Sequence, residues 1–502
     1  MPSSPPHLPS TREGASPSPT QGIATALLTL LLLPPVSPAL FAADTAPPPL
    51  PRGELIERIA TGRDPGLTYA LYIPTGYRAD RPSPILYAFD ARGDARDLVN
   101  RLRTGAERYA WIVASPDNAS DAIPMEENFK VMSGLWADTH ARLTVDDRRV
   151  YAFGFSGLSR FACMLGFTAP ESLAGVIGAS GGFPLGHPPT RDTPFPFFAM
   201  VGDKDFNYYE LLDLDDKLAA LGLPHRVEVF PGVHELPPES LATQALGWME
   251  LQAMKRGTRE KSPTVIAAQW QESFAQARTL DEAGRLLPAD RAYAVLAADF
   301  AGLADAKSLE EAARRRAALQ ATEAFQRQRA EQQERDRRDR DYLEKVPRIL
   351  AAANPEVRAD SLGHALAELA IPELKRRATS ATIDPEERLA AERLLSAVSI
   401  QTGLHLPLEA AERKQYDRAI FDLQIAAEID PQVPRIPFRL AVTWAQKGDR
   451  RKALDALALA VEKGWTDLVA LESERAFDPL RQSDEYKTIV SALLRRQRPT
   501  AR

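Results

Sequence analysis

The chain holds one cysteine in 502 residues, Cys163. A lone thiol cannot close an intrachain disulfide and cannot build a zinc site from thiolates. None of the seven histidines stands in an HExxH pattern, so no metalloprotease helix is expected. Positive charge is not in excess either: 62 Lys and Arg face 68 Asp and Glu, for a net charge of -6. That balance provides no basic field for nucleic acid or an anionic membrane. Long apolar runs are missing too. The run from Ile23 to Leu33 is broken by Pro34 and Pro35, short of the roughly 20 residues a span requires, and there is no second one. The expectation is a chain with no nucleic-acid partner, no integral membrane domain, no metal and no cofactor.

What is there begins with the N-terminal segment. Residues 1–20 are rich in Pro and Ser, with Arg12 among them, and the apolar run and Pro38-Ala39-Leu40-Phe41-Ala42-Ala43 come next. This reads as an export signal, 1–43, cut near Ala42 or Ala43. It implies a periplasmic or extracellular protein. Residues 44–52, with Pro47, Pro48, Pro49 and Pro51, form a stiff spacer. The remaining length suffices for two or three domains, and 44% hydrophobic with 26% charged residues is ordinary for a globular chain.

Residues 53–252 read as apolar strands alternating with helical segments. The strands expected are Leu67–Pro74, Pro84–Phe89, Tyr109–Ala114, Arg149–Phe155, Leu173–Ala179, Pro196–Gly202 and Arg226–Phe230. Asn128 to Thr144 has helical spacing. Such alternation predicts an α/β fold, a mostly parallel sheet with helices on both faces. Ligands in these folds bind beyond the carboxyl ends of the strands, and the residues that carry chemistry fall there.

The strand Tyr151-Ala152-Phe153-Gly154-Phe155 runs into Ser156-Gly157, and a helical stretch starts at once. Strand, serine and helix in that order predict a strained turn that lifts the serine hydroxyl above the sheet. Gly154 lets strand and helix approach closely. The alternative is that Ser156 only caps the helix. A serine hydroxyl needs a base, and His234, in Pro231-Gly232-Val233-His234 after the last strand, suits that role at neutral pH. Asp205, in Gly202-Asp203-Lys204-Asp205, is favoured to orient it, with Asp203 the rival. The Gly157 N–H is the natural first oxyanion donor. The second is expected at Ala91 or Arg92, with Ala91 preferred. His140, His187 and His225 are read as structural. Residues 121–128 are read as part of the rim; the aromatic residues of Phe206 to Glu210 either line the cleft or, the favoured reading, cover the core.

On Leu71-Tyr72-Ile73-Pro74, Gly154-Phe155-Ser156-Gly157, Gly202-Asp203-Lys204-Asp205 and Gly232-Val233-His234, residues from about 66 to 250 resemble an α/β-hydrolase of the esterase or polyhydroxyalkanoate-depolymerase-like type. The resemblance implies Ser156 as nucleophile, Asp205 as acid and His234 as base, acting on esters; relatives cleave peptides or polyesters. Two departures stand out. Leu158 occupies the place where the GxSxG pattern has its second glycine. Asp90-Ala91-Arg92-Gly93 stands where a His-Gly pair is usual.

From 253 the composition turns to Ala, Leu, Glu, Arg and Gln. Residues 253–400 read as a charged helical region, with Ser308 to Tyr342 as one long solvated helix. Residues 401–502 resemble tetratricopeptide-like helical packing, an all-α repeat-like domain. Ala419 and Ala453 stand 34 residues apart, the length of such a unit. Either a protein or peptide binds there, or the helices only stabilise the rest or mediate self-association. The expectation is an exported serine hydrolase that cleaves a small-molecule or polymeric carboxylic ester through an acyl-enzyme on Ser156. The alternatives are a binding protein that uses the hydrolase fold as scaffold, and a serine peptidase.

Overall fold

Apolar runs such as Pro84-Ile85-Leu86-Tyr87-Ala88-Phe89 have no polar face to turn outward, so they bury on both sides. The structure, a computed structural model, describes residues 50–353 and 361–497. The proposed export signal lies outside the described residues. By its own contacts the chain divides into two compact units. One comprises residues up to Ile177 with Phe183–Pro196, the other Gly178–Gly182 with residues from Phe197 onward.

The first unit contains β1 (Leu55–Ala60), β2 (Thr68–Tyr72), β3 (Ser83–Phe89), α1 (Ala95–Tyr109), β4 (Ile112–Pro116), α2 (Met125–Arg142), β5 (Val145–Phe155), α3 (Gly157–Thr168) and the start of β6 (Gly175–Ala179). β3 pairs in parallel with β4 and with β5, setting Leu86 against Val113 and Tyr151. β1 and β2 add antiparallel strands at one edge. β3 and β4 are buried throughout, as strands covered by helices on both faces must be. The expected strand from Tyr109 instead begins at Ile112. Leu98, Leu102 and Ala106 continue the buried face of α1, and Ala110, at φ 58, ends that helix in the left-handed region. Neither α1 nor the edge strand β1 was anticipated.

The second unit contains the end of β6, β7 (Phe197–Gly202), α4 (Tyr208–Leu221), β8 (His225–Phe230), α5 (Glu239–Arg256) and every later helix. β7 and β8 pair in parallel from Phe197 opposite His225 to Gly202 opposite Phe230. The strand order is β1-β2-β4-β3-β5-β6-β7-β8. This is a mostly parallel sheet flanked by helices, of the α/β-hydrolase kind, with an all-helical region after it.

That region runs through α6 (Pro263–Glu282), α7 (Leu286–Asp299), α8 (Ala306–Gln320), α9 (Glu323–Ala352), α10 (Ser361–Glu368), α11 (Ile371–Thr379) and α12 (Pro385–Ile400). It continues with α13 (Leu406–Glu412), α14 (Tyr416–Ile429), α15 (Arg435–Lys447), α16 (Arg450–Glu462), α17 (Leu468–Ser473) and α18 (Asp484–Gln497). The single helix expected over 308–342 is two. Thr322 stops one and caps the next by accepting from the Phe325 N–H at 3.2 Å, and the buried Phe325 packs against Ala289 and Leu319. Nor is α9 merely solvated: Asp339, Val346 and Leu350 on it are buried. Ala419 and Ala453 are both buried, each within the first turn or so of α14 and α16. Among the described residues no helix is long and apolar enough to cross a membrane.

Candidate active site

Ser156 sits between β5 and α3 at φ 58, ψ -128. An L-residue held there costs on the order of 1–3 kcal/mol. Its side chain makes no capping bond to α3, so the helix-cap alternative does not describe it. Gly154 makes the turn possible, since a Cβ there would collide with the Leu158 carbonyl. Leu158 itself, the departure from GxSxG, is buried. Cys163, on the same helix, is fully buried, and burial pushes its thiol up, away from the thiolate a nucleophile needs.

The Gly157 N–H opens α3, where the helix dipole favours negative charge. It donates to Asp121 Oδ2 at 3.2 Å. The backbone of Asp121 in turn donates to the Ala91 carbonyl at 3.1 Å, which ties the 121 loop to the segment after β3. Of the two candidates for a second donor, the Arg92 N–H is already given to Asp90 Oδ1 at 2.9 Å. Arg92 also grips that buried carboxylate through Nε and Nη2 at 3.1 and 2.8 Å. The Gly157 N–H is likewise engaged, so the bond from the Arg92 N–H alone does not choose between Ala91 and Arg92. The Asp121 contact was not foreseen, and the sequence signals it only as a loop near the strand ends.

In the second unit the acid turn and the histidine loop meet at backbone distance. A Cβ on Gly202 would collide with the carbonyls of Gly232 and Val233. Asp203 N–H donates to the Phe230 carbonyl at 2.8 Å and Lys204 N–H to the Gly232 carbonyl at 2.9 Å. Asp203 Oδ1 accepts from the Gly232 N–H at 3.1 Å. Asp203, the rival acid, thus braces the loop, and Asp205 reaches the imidazole. His234 Nδ1 lies 3.0 and 3.1 Å from the two Asp205 oxygens. A carboxylate only accepts, so Nδ1 carries the proton and neutral His234 presents Nε2 as an acceptor. Asp205 is 1% exposed, and its Oδ1 also accepts from the Asn207 N–H at 2.8 Å. Phe206 stacks on the His234 ring, 4.2 Å between centroids and 24° between planes, which restricts ring rotation.

Ser180, which sequence reasoning missed, lies just past β6 at φ 52. It is buried, and its carbonyl accepts from Asn207 Nδ2 at 2.6 Å. Only the small residues Ser180-Gly181-Gly182 after a strand mark it in the sequence. The other histidines that were singled out lie elsewhere. His140 stacks on Trp136 at 4.3 Å and reaches Asp147 at 3.2 Å. His225 pairs with Asp215 at 3.2 Å, and His187 lies 6.1 Å from the Phe167 ring.

No protein-family model and no curated protein matches the chain. Solved structures do. An S-formylglutathione hydrolase from Staphylococcus aureus is similar at 14% identity and TM-score 0.32, over 40% of this chain and 98% of that one. The feruloyl esterase module from Clostridium thermocellum shares 14% identity at TM-score 0.32, over 39% of this chain and 87% of that one. An esterase of Pyrobaculum calidifontis shares 14% identity at TM-score 0.32, over 40% and 86%. Likeness at this level says nothing of this chain's substrate.

Proposed function

We propose that the chain is a serine hydrolase that cleaves a carboxylic ester through an acyl-enzyme on Ser156. The observation that carries this reading is the backbone of Ser156, held at φ 58 with its side chain not spent on capping. Strain of that kind persists where the surroundings impose it, and it gathers at functional sites. The Asp205–His234 pair supports the same reading, because it leaves Nε2 able to take a proton.

In this reading Ser156 Oγ attacks the ester carbonyl carbon while His234 Nε2 takes the Oγ proton. The carbonyl π electrons move onto oxygen, and the N–H groups of Gly157 and Ala91 receive that charge. The intermediate collapses, the C–O bond to the alcohol breaks, and His234 protonates the departing alkoxide. Water then attacks the acyl-enzyme, His234 takes its proton, and Ser156 leaves with that proton as the acid departs. Asp205 stays ionised and steadies the imidazolium.

One observation favours a second reading, a non-catalytic scaffold: the Asp121 carboxylate occupies the Gly157 N–H. Hydrolysis of a short-chain p-nitrophenyl ester, beside Ser156→Ala, separates the two. Turnover lost in the variant supports the hydrolase. No turnover by folded protein supports the scaffold. The C-terminal helices we read as tetratricopeptide-like, on the 34-residue spacing of Ala419 and Ala453. Export we infer from residues 1–43, and N-terminal sequencing of the protein recovered from producing cells tests it by finding a start near Ala43 or Asp44, or else at the original end.

A further inference from the structure

The turn that carries Asp205 is gripped by two consecutive residues of α12. Lys204 Nζ pairs with Glu392 at 2.6 Å. Arg393 Nη1 donates to the Asp203 carbonyl at 3.2 Å. The guanidinium lies over the Tyr208 ring at 4.4 Å and near that of Tyr209 at 5.8 Å. Its Nη2 stands 4.0 Å from Asp339 of α9, and Asp339 accepts from the Tyr209 hydroxyl at 2.5 Å. Tyr208 and Tyr209 open α4, directly after the acid turn, so the helical region holds both the turn and the first residues of α4.

Arg393 is 3% exposed. A cation so buried requires compensation, and an apolar side chain of similar volume often packs there at no loss of stability. Asp339 and the two ring faces supply part of that compensation, while Nε and Nη2 make no hydrogen bond among the described residues. What an apolar residue could not supply is the bond to the Asp203 carbonyl, two residues before Asp205. On its other side the same Asp203 is tied by its carboxylate to the histidine loop. The acid turn is therefore fixed between that loop and α12.

We propose that Arg393 is a positioning residue for the catalytic acid, through which the helical region keeps Asp205 and His234 in working geometry. This rests on the reading of Asp205 and His234 as acid and base. Without the guanidinium the Asp203 carbonyl loses its charged donor, the turn drifts, and the Asp205–His234 hydrogen bond weakens. The chemical step then slows while substrate binding is unaffected, because Arg393 acts through the turn and not on the substrate.

The test uses the full-length protein with Arg393→Met, Arg393→Lys and, as a control, Arg418→Met. Arg418 is a half-buried arginine of the helical region, bound to Asp422 at 2.9 Å and to the Ala353 carbonyl at 2.9 Å. Two readouts are taken on folded protein: steady-state ester hydrolysis, and the downfield proton signal of His234 Nδ1–H in protein labelled with ¹⁵N-histidine. Arg393→Met is expected to lower kcat about tenfold with KM within about twofold, since small misplacements of catalytic groups are costly. It should also move the His234 proton upfield or broaden it away. Arg393→Lys keeps a charged donor but not the planar stack and should recover part of both. Arg418→Met should leave both unchanged. An unshifted His234 proton with wild-type kcat in Arg393→Met overturns the proposal, as does an equal loss in Arg418→Met. If Arg393→Met does not fold, Glu392→Gln carries the same test, with a kcat loss of about threefold for the lost Lys204 pair and a smaller shift of the proton; no change in either overturns the proposal. If wild-type protein neither turns over esters nor reacts with a fluorophosphonate, the hydrolase reading fails, and the proton signal alone decides whether Arg393 holds the pair.

Discussion

Two turns carry the proposed chemistry, and they are held in opposite ways. The Ser156 turn is fixed by its neighbours in sequence. β5 leads in, α3 leads out, and Gly154 yields the space that the Leu158 carbonyl fills. The Asp203–Asn207 turn is fixed by residues far along the chain: Gly232 and Phe230 on one side, Glu392 and Arg393 on the other. The first is built from backbone strain and the second from side-chain charge. A local device can be read from a short motif, whereas a device assembled from distant residues cannot.

The comparison can be broken at several points. The largest effect is expected from Ser156→Ala, with ester turnover down at least about 10⁴-fold and stability little changed. A steady-state assay beside a thermal melt measures both. Asp205→Asn, which leaves His234 in the wrong tautomer, should cost on the order of 10⁴-fold in kcat, read on the same assay with the fold intact by circular dichroism. Gly154→Ala attacks the local device. Its Cβ meets backbone that cannot step aside, so it should lose about 3 kcal/mol of stability in urea titration together with labelling at Ser156. Arg393→Met attacks the distant device and should cost about tenfold in kcat, with fluorophosphonate labelling of Ser156 slowed but not abolished. The smallest effect has the opposite sign. Asp121→Ala frees the Gly157 N–H, and one competing hydrogen bond is worth a few-fold, so kcat/KM should rise about threefold.

Much of this was legible in the sequence, for identifiable reasons. β3, β5, β7 and β8 are apolar or β-branched runs bounded by turns, and they lie within a few residues of where the pattern places them. Ser156 announced itself because strand, serine and helix adjoin without a gap. The choice of Asp205 over Asp203 rested on turn spacing, and in the structure it is the Asp205 carboxylate that reaches His234. The misses have physical causes. Tyr109 is aromatic and looked like strand, yet it is the last residue of α1, whose buried face runs through Leu98, Leu102 and Ala106. The break at Thr322 is set by one cap and one buried phenylalanine inside an otherwise uniform run of charges. Arg393 and Asp339 carry no local signal at all, and Asp121 carries only its place in a loop near the strand ends. Each is a charged residue among many, and its importance comes from what folding places beside it. Asp339 shows the point in its own chemistry, since burial raises its carboxyl pKa, a shift that nothing in Arg337-Arg338-Asp339-Arg340 suggests.

The central claim, that Ser156 is an activated nucleophile served by His234 and Asp205, is tested most directly by fluorophosphonate labelling of the full-length protein, with the modified residue mapped by mass spectrometry. Wild-type protein should be modified at Ser156 alone, with labelling absent in Ser156→Ala and strongly slowed in His234→Ala. Folded wild-type protein that stays unmodified, or is modified equally fast without His234, would contradict the account.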